Sequence, residues 1–255
     1  PTSPDLHSTL GIGIKLFGVP GAKLFGEGDT ADFIMQNHDV FFLNNAAEFC
    51  EFTTAGVVDG DYPGYLKRHP ATATVLNEME KAEASCLTAE YWAILPFAFG
   101  GDRYVKYKLE PVDQEIGEPF GENSYLAVDL ASRLRRGPAT FRFMIQLRGN
   151  PKQDPLDEAM KRWTGEWIHI ADLELNRQDI EQRGQGDYGE HLSFNIWRTP
   201  MEQEPQGSIA VMRKVVYQGS ADQRRLANGV TLTEPVRPAP TSGYVPEEAF
   251  DDCIV

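Results

Sequence analysis

Cysteine is scarce. The 255 residues hold three, Cys50, Cys86 and Cys253, and none stands in a C-x-x-C pair. That excludes a disulfide-built scaffold and a paired-thiolate zinc site. No motif marks any of the three as a nucleophile. A sparse, odd set suits a reducing compartment, so a cytoplasmic location is expected. Basic side chains are also few: 24 Lys and Arg stand against 38 Asp and Glu, a formal net charge of −14. Nucleic acid and anionic membranes are recognised by clustered Lys and Arg, so neither is an expected partner. Solubility alone accounts for the negative balance. Long apolar runs are missing as well. The run Val40-Phe41-Phe42-Leu43 is far short of the roughly 20 residues a membrane-spanning helix needs. No charged-then-apolar leader opens the chain, and residue 1 is Pro, not Met.

What is present reads as a soluble globular protein, with 41% hydrophobic and 24% charged residues. The length fits one large domain or two small ones. Ile12, Ile14 and Leu16 alternate with Gly11, Gly13 and Lys15. Val105, Tyr107 and Leu109 alternate with Lys106, Lys108 and Glu110. In 140–148, Phe141, Phe143, Ile145 and Leu147 share one face, and 167–175 alternates less cleanly. Such period-2 patterns indicate half-buried strands, and the Gly- and Asp-rich connections favour antiparallel pairing. Helical signals cover 44–52, 71–84, 125–136 and a last stretch from Ser208 to Asn228, with Ser208 as the expected N-cap and Gly229 as the C′ residue. Strands come first and helices later, which indicates an α+β fold around one antiparallel sheet, closed or nearly so. The domain is expected over 1–229. Residues 230–255, punctuated by Pro235, Pro238, Pro240 and Pro246, read as a Pro-rich C-terminal arm.

The most informative segment is the last helix. At about 100° per residue, Tyr217 lies roughly 40° around from Arg213, and Arg224 roughly 20° from Arg213. All three point the same way. A fixed positive charge beside a tyrosine favours the phenolate, a hard anionic ligand suited to ferric iron. A second Arg farther along the helix can pair a carboxylate such as a haem propionate. Spacing alone also fits an amphipathic helix with arginines on its wet face.

Arg213-Lys-Val-Val-Tyr217, followed seven residues later by Arg224, resembles the proximal helix of haem catalases, R-x-x-x-Y with a later Arg. The preceding 192–197 and 204–209 are similar to the small catalase-related haem proteins rather than to full-length catalases. Gly11-Ile-Gly-Ile-Lys15 resembles the family's glycine-rich G-x-A-x-K strand, and 32–42, with Asn37, Phe41 and Phe42, resembles the strand ending in N-x-P-x-F-F. The resemblance implies an antiparallel β-barrel of catalase type with attached α-helices, lacking its first strand or strands. It implies haem b with Tyr217 as the axial ligand to iron and Arg213 holding that Tyr as phenolate. Arg224 matches the second proximal-side Arg, and Asn37 the distal Asn that positions peroxide. Phe42 matches the aromatic against the distal haem face, with Phe49 as a further candidate. The implied reaction is O–O cleavage of hydrogen peroxide or of an organic or fatty-acid hydroperoxide. Catalase, peroxidase and hydroperoxide-isomerising activities stay open, and NADPH, which some catalases carry, is left undecided.

Peroxide cleavage on haem also calls for a distal acid–base group. Catalases use a His in a motif resembling H-A-x-G. The five histidines here, His7, His38, His69, His169 and His191, stand in no such motif. His38, next to Asn37, should face away from whatever Asn37 faces if both lie on a strand. A distal His upstream of Pro1 is therefore one expectation. Others are a degenerate or non-enzymatic haem-binding protein and a barrel for a lipid-like ligand. An open sheet edge would need a cover, so a homo-oligomer or a partner chain is expected over it.

Overall fold

The computed structural model describes residues 5–112, 115–118, 124–230 and 234–238. Most of the expected C-terminal arm, with Cys253, lies outside the described residues. Cys50 and Cys86 are free thiols.

Six strands form one antiparallel sheet in chain order: β1 (Gly11–Phe17), β2 (Thr30–Gln36), β3 (Tyr91–Ala98), β4 (Tyr104–Val112), β5 (Ala139–Leu147) and β6 (Trp167–Leu175). The sheet curls into an open half-barrel, with β1 and β6 at its edges. Curling needs twist and local breaks in register. Here β3 and β4 shift between Ala93 and Phe97, and β5 and β6 between Phe143 and Met144. The alternating residues of β4 and β5 fill the inside: Val105 and Leu109 are fully buried, and Phe141 nearly so. Phe33 of β2 packs edge-on against Tyr107 and Phe143, with ring centroids 5.1 and 5.3 Å away.

The helices do not simply follow the strands as expected. Three stand between β2 and β3: α1 (Ala46–Thr53), α2 (Tyr62–Arg68) and α3 (Pro70–Met79). A π-helical turn, Thr54–Val58, links the first two. α4 (Tyr125–Arg136) lies between β4 and β5, α5 (Gln185–His191) follows β6, and α6 (Ser208–Asn228) closes the series. Strand β3 escapes pattern reading because it is buried along both faces and shows no alternation.

The sheet has a seam. β1 and β2 pair along their whole lengths, but β2 meets β3 only at Gln36 and Trp92. Residues 195–206 run into the gap beyond. Asp32 N–H bonds the Arg198 carbonyl on one side of it; Gln206 N–H bonds the Pro96 carbonyl, and Ala98 N–H the Glu204 carbonyl, on the other. Pro96 has no N–H to offer a neighbouring strand, which suits a strand position that a loop covers.

That inserted segment launches α6. Gly207 takes φ +89°, and a Cβ there would stand 2.6 Å from the Leu156 carbonyl oxygen, so only glycine fits. The cap position is Gly207, not Ser208. The N-terminal N–H groups are served from another loop instead: Asp157 Oδ1 accepts from Ser208 N at 2.6 Å and from Ser208 Oγ at 2.7 Å. Ile209 and Ala210 are buried, and Trp197 Nε1 donates to the Ala210 carbonyl at 2.7 Å. The helix ends as expected at Gly229, with φ +66°.

Candidate functional site

With its first turn anchored, α6 lies along β1 and the seam. Arg213 and Tyr217, one turn apart, meet directly. Arg213 Nε donates to the phenolic oxygen at 3.0 Å and Nη2 at 2.5 Å. The guanidinium carbon lies 4.8 Å from the ring centroid. Two N–H groups converging on one oxygen suit an oxygen that carries negative charge.

Tyr217 is a wall shared by three cavities, two of which are also lined by β1. The first, about 240 Å³, lies at the seam and is lined by Thr9, Gln36, Trp92, Ile94 and Arg213 among others. The second, about 280 Å³, is lined by Gly11, Gly13, Ile34, Phe194 and Arg224. The third, about 400 Å³, is lined by Phe25, Phe194, Arg198, Arg225 and Glu234. The glycines of β1 have a use here. A Cβ on Gly13 would sit 3.1 Å from the Phe194 ring, so the bare backbone lets a flat ring lie against the strand.

The far end of α6 is tied to the stretch after α5. Arg224 Nη2 donates to the Leu192 carbonyl at 2.5 Å. Arg225 Nη2 donates to Ser193 Oγ at 2.9 Å, Nη1 stands 3.4 Å from Asp222, and Nε is buried with no partner among the described residues. Below the third cavity lies a buried charge cluster. Lys15 Nζ pairs with Asp32 at 2.6 Å and with Glu234 at 2.5 Å, and Arg198 Nε stands 3.4 Å from Glu234. Burial pushes the Asp32 carboxyl above its usual range, against the pull of Lys15.

The structure thus brings Arg213, Tyr217 and Arg224 to one run of cavities and places the other expected site residues elsewhere. Asn37 is buried, with its amide engaged on both sides: Oδ1 accepts from Leu10 N at 2.8 Å and Nδ2 donates to Glu83 at 3.0 Å. Phe42 joins a second small core with Val40, Val75 and Met79. Phe49 stacks on Phe41, centroids 6.1 Å apart, at the edge of the main core. None of the three lines any of these three cavities. His38 is buried, with Nδ1 3.1 Å from the Val40 carbonyl, so both it and Asn37 point inward beyond the end of β2. No His lines these three cavities. Sequence reasoning did not select Gln36, Trp92, Phe194 or Arg225. The aromatic Phe194 opposite a glycine-rich strand is the one signal that could have been weighed.

Among solved structures, a fungal catalase is similar to this chain with TM-score 0.67 at 17% identity, over 89% of this chain and 49% of that one. The fold is the catalase fold. A bacterial catalase matches with TM-score 0.60 at 16% identity, over 88% of this chain and 47% of that one. In sequence, the chain shows distant homology to the catalase superfamily: it is 27% identical over 173 residues to a catalase-related peroxidase of Mycolicibacterium paratuberculosis (strain ATCC BAA-968 / K-10), covering 63% of this chain and 54% of that protein. The chain spans about half the length of the relatives it matches. No protein-family model matches it. Among the described residues no helix is long and apolar enough to cross a membrane.

Proposed function

We propose that this catalase-like chain binds ferric haem b through Tyr217 and acts on peroxides. One observation carries the reading: the Arg213 guanidinium places two donors on the phenolic oxygen of a tyrosine that opens onto three cavities. The residues fit the group on this side. A phenolate ligand needs a fixed positive partner, and Arg213 is held one turn away on the same helix. A planar macrocycle needs flat apolar walls, and Gly13, Phe194 and Ile34 supply them. Carboxylates need arginine, and Arg224 and Arg225 stand along the same wall.

Bound haem would supply the iron for O–O cleavage. The chain's own part is to hold the phenol oriented, to exclude water with the Ile34 and Phe194 side chains, and to bind the substrate's polar end. Substrate is hydrogen peroxide or an organic or fatty-acid hydroperoxide. Besides Arg213, Tyr217 and Trp92, the polar side chains lining the seam cavity are Thr9 and Gln36, so these two are placed to hydrogen-bond a hydroperoxide there. Asn37, if it orients peroxide, must first leave Leu10 N and Glu83.

The test is an optical spectrum of the purified protein with haem, followed by turnover of hydrogen peroxide and cumene hydroperoxide. Tyr217→Phe is expected to abolish the tyrosinate-to-iron charge-transfer bands and to weaken haem binding. Unchanged ferric bands in that variant would overturn the assignment. A second reading, haem binding without peroxide turnover, is favoured by the absence of any His from the three cavity walls. It predicts the same spectrum with no accelerated peroxide loss.

A further inference from the structure

We infer that the stretch after α6 is a strap over the largest of the three Tyr217 cavities, latched by Glu234 and opening when an anion takes the place of that carboxylate. The inference rests on the proposed haem reading only where haem is the ligand that enters; the strap and its seat stand without it.

Glu234 lies five residues beyond Gly229, the residue that ends α6. It comes back to the sheet. Its Oε1 accepts from Lys15 Nζ of β1 at 2.5 Å and from Thr30 Oγ1 at the start of β2 at 2.8 Å. Its Oε2 stands 3.4 Å from Arg198 Nε in the seam segment. One carboxylate thus ties the chain beyond α6 to three elements, and its side chain is 12% exposed. The residues that follow are less drawn in: Pro235 is half-buried, and 236–238 are exposed. Glu234 and Tyr217 line the same cavity of about 400 Å³.

The seat does not depend on the latch. Lys15 Nζ is fixed by Asp32 at 2.6 Å and lies 5.0 Å from the Phe194 ring centroid. Thr30 is buried and stands opposite Phe17 in the β1–β2 ladder. Arg198 Nη1 donates to the Glu27 carbonyl at 2.9 Å, and the Arg198 carbonyl accepts from Asp32 N–H at 3.0 Å. Gly26, at φ +72°, makes room for the guanidinium, since a Cβ there would stand 2.7 Å from Nη2. These contacts hold the three donors in place when Glu234 is withdrawn.

What the seat loses on opening is charge balance. With Glu234 in place, two cations meet two carboxylates. Without it, Lys15 and Arg198 share Asp32 alone, and all three side chains are buried or nearly so. Buried charge without a counter-charge is costly. The other charged groups on the cavity wall do not restore the balance. Glu27 is exposed and offers Arg198 its backbone carbonyl, while Arg225 faces Asp222 at 3.4 Å. An open strap therefore draws an anion into the seat. A tethered carboxylate has an effective concentration in roughly the millimolar range, so Glu234 is a ligand that the chain supplies to itself and that a free anion must outcompete.

The probe is anilinonaphthalene sulfonate, an anion with a flat apolar body. It is titrated by fluorescence into the full chain as wild type, Glu234→Gln, Glu234→Ala, and Glu234→Ala combined with Arg198→Gln. Circular dichroism and melting temperature control for folding. If the strap is closed about nine-tenths of the time or more, Glu234→Ala binds the dye about tenfold more tightly than wild type, and acetate competes the gain away. Glu234→Gln, which keeps an acceptor for Thr30 and loses the charge, shows a smaller gain in the same direction and serves if the alanine variant does not fold. Adding Arg198→Gln removes the gain, because the seat has lost a cation. A gain that came from loosened packing would instead grow with the second substitution, and that result overturns the inference. Equal dye affinity in wild type and in the folded Glu234 variants overturns it too. Ferric haem is then mixed with the same proteins in stopped flow. Faster association in the Glu234 variants, ending in the wild-type ferric spectrum, supports the strap as the gate for haem. Wild-type association rates in those variants overturn the gate and leave the Tyr217 reading standing. Failure of every protein to bind haem removes the haem reading, and the dye titration then decides the strap alone.

Discussion

Lys15 and Asp32 stand opposite each other in the β1–β2 ladder, and their side chains meet at 2.6 Å with exposures of 4% and 0%. The lysine of the glycine-rich strand is therefore a buried ion-pair partner under the third cavity. Such a pair shows its value when one partner is removed, because the other is left charged in a dry place. Lys15→Met is expected to lower unfolding free energy in urea by about 3–5 kcal/mol. Replacing both, Lys15→Met with Asp32→Leu, should recover part of the loss. A single variant as stable as the wild type would show that Arg198, 3.8 Å from Asp32, already compensates the carboxylate.

Lys106 gives a pH signature. The residue is 4% exposed, and its ammonium donates to the Lys161 carbonyl at 3.0 Å and lies 5.3 Å from the Trp163 ring centroid. Burial lowers its folded-state pKa from 10.5 to about 8, against the pull of Asp39 and Asp154. A depressed value means the folded state prefers the neutral amine. The associated stability is fully present above the unfolded value and is lost as pH falls through about 8. Wild type should accordingly gain about 3 kcal/mol relative to Lys106→Met between pH 7 and pH 10.5. Chemical denaturation across that range, compared variant by variant, reads the difference directly. A pH-independent difference would show that the ammonium keeps its charge throughout.

Gly207 sets where α6 begins, so it sets where Tyr217 stands. Gly207→Ala places a Cβ 2.6 Å from the Leu156 carbonyl oxygen at a φ of +89°. Strain at such a backbone position costs about 1–3 kcal/mol before the clash is added. A melting temperature lowered by several degrees is the expected result, together with weaker haem binding as the helix start shifts. An unchanged melting temperature would mean that the 156–157 loop yields freely.

What the sequence discloses depends on the kind of order each segment has. β1, β4, β5 and β6 each keep one wetter face, so alternation marks them. β3 is dry on both faces, and residues 195–206 carry no period at all; yet that stretch fills the seam and positions α6. Arg213, Tyr217 and Arg224 are legible because they repeat on one helical face. The contact of Arg225 with Ser193 is not, since folding alone brings that serine near from 32 residues earlier in the chain. The offset at the end of β2 is subtler. The ladder stops at Gln36, so which of two adjacent amides enters the cavity is decided by one peptide unit.

Gln36 and Asn37 can be separated on that basis. Gln36 lines the seam cavity with Arg213 and Tyr217, and its Nε2 reaches the Val40 carbonyl at 3.0 Å. Asn37 accepts from the Leu10 amide and donates to Glu83, and removing its side chain strands a buried N–H. Asn37→Ala should lose about 1–3 kcal/mol of stability, the cost of an unsatisfied buried donor, while the ferric haem spectrum of the folded fraction stays close to wild type. Gln36→Leu should leave stability nearly unchanged and instead shift the Soret band and weaken binding of azide or cyanide, small ligands that report the polar side of the pocket. If Asn37→Ala instead leaves stability intact and abolishes peroxide turnover, Asn37 is the group that positions peroxide. Its two hydrogen bonds then open when haem binds.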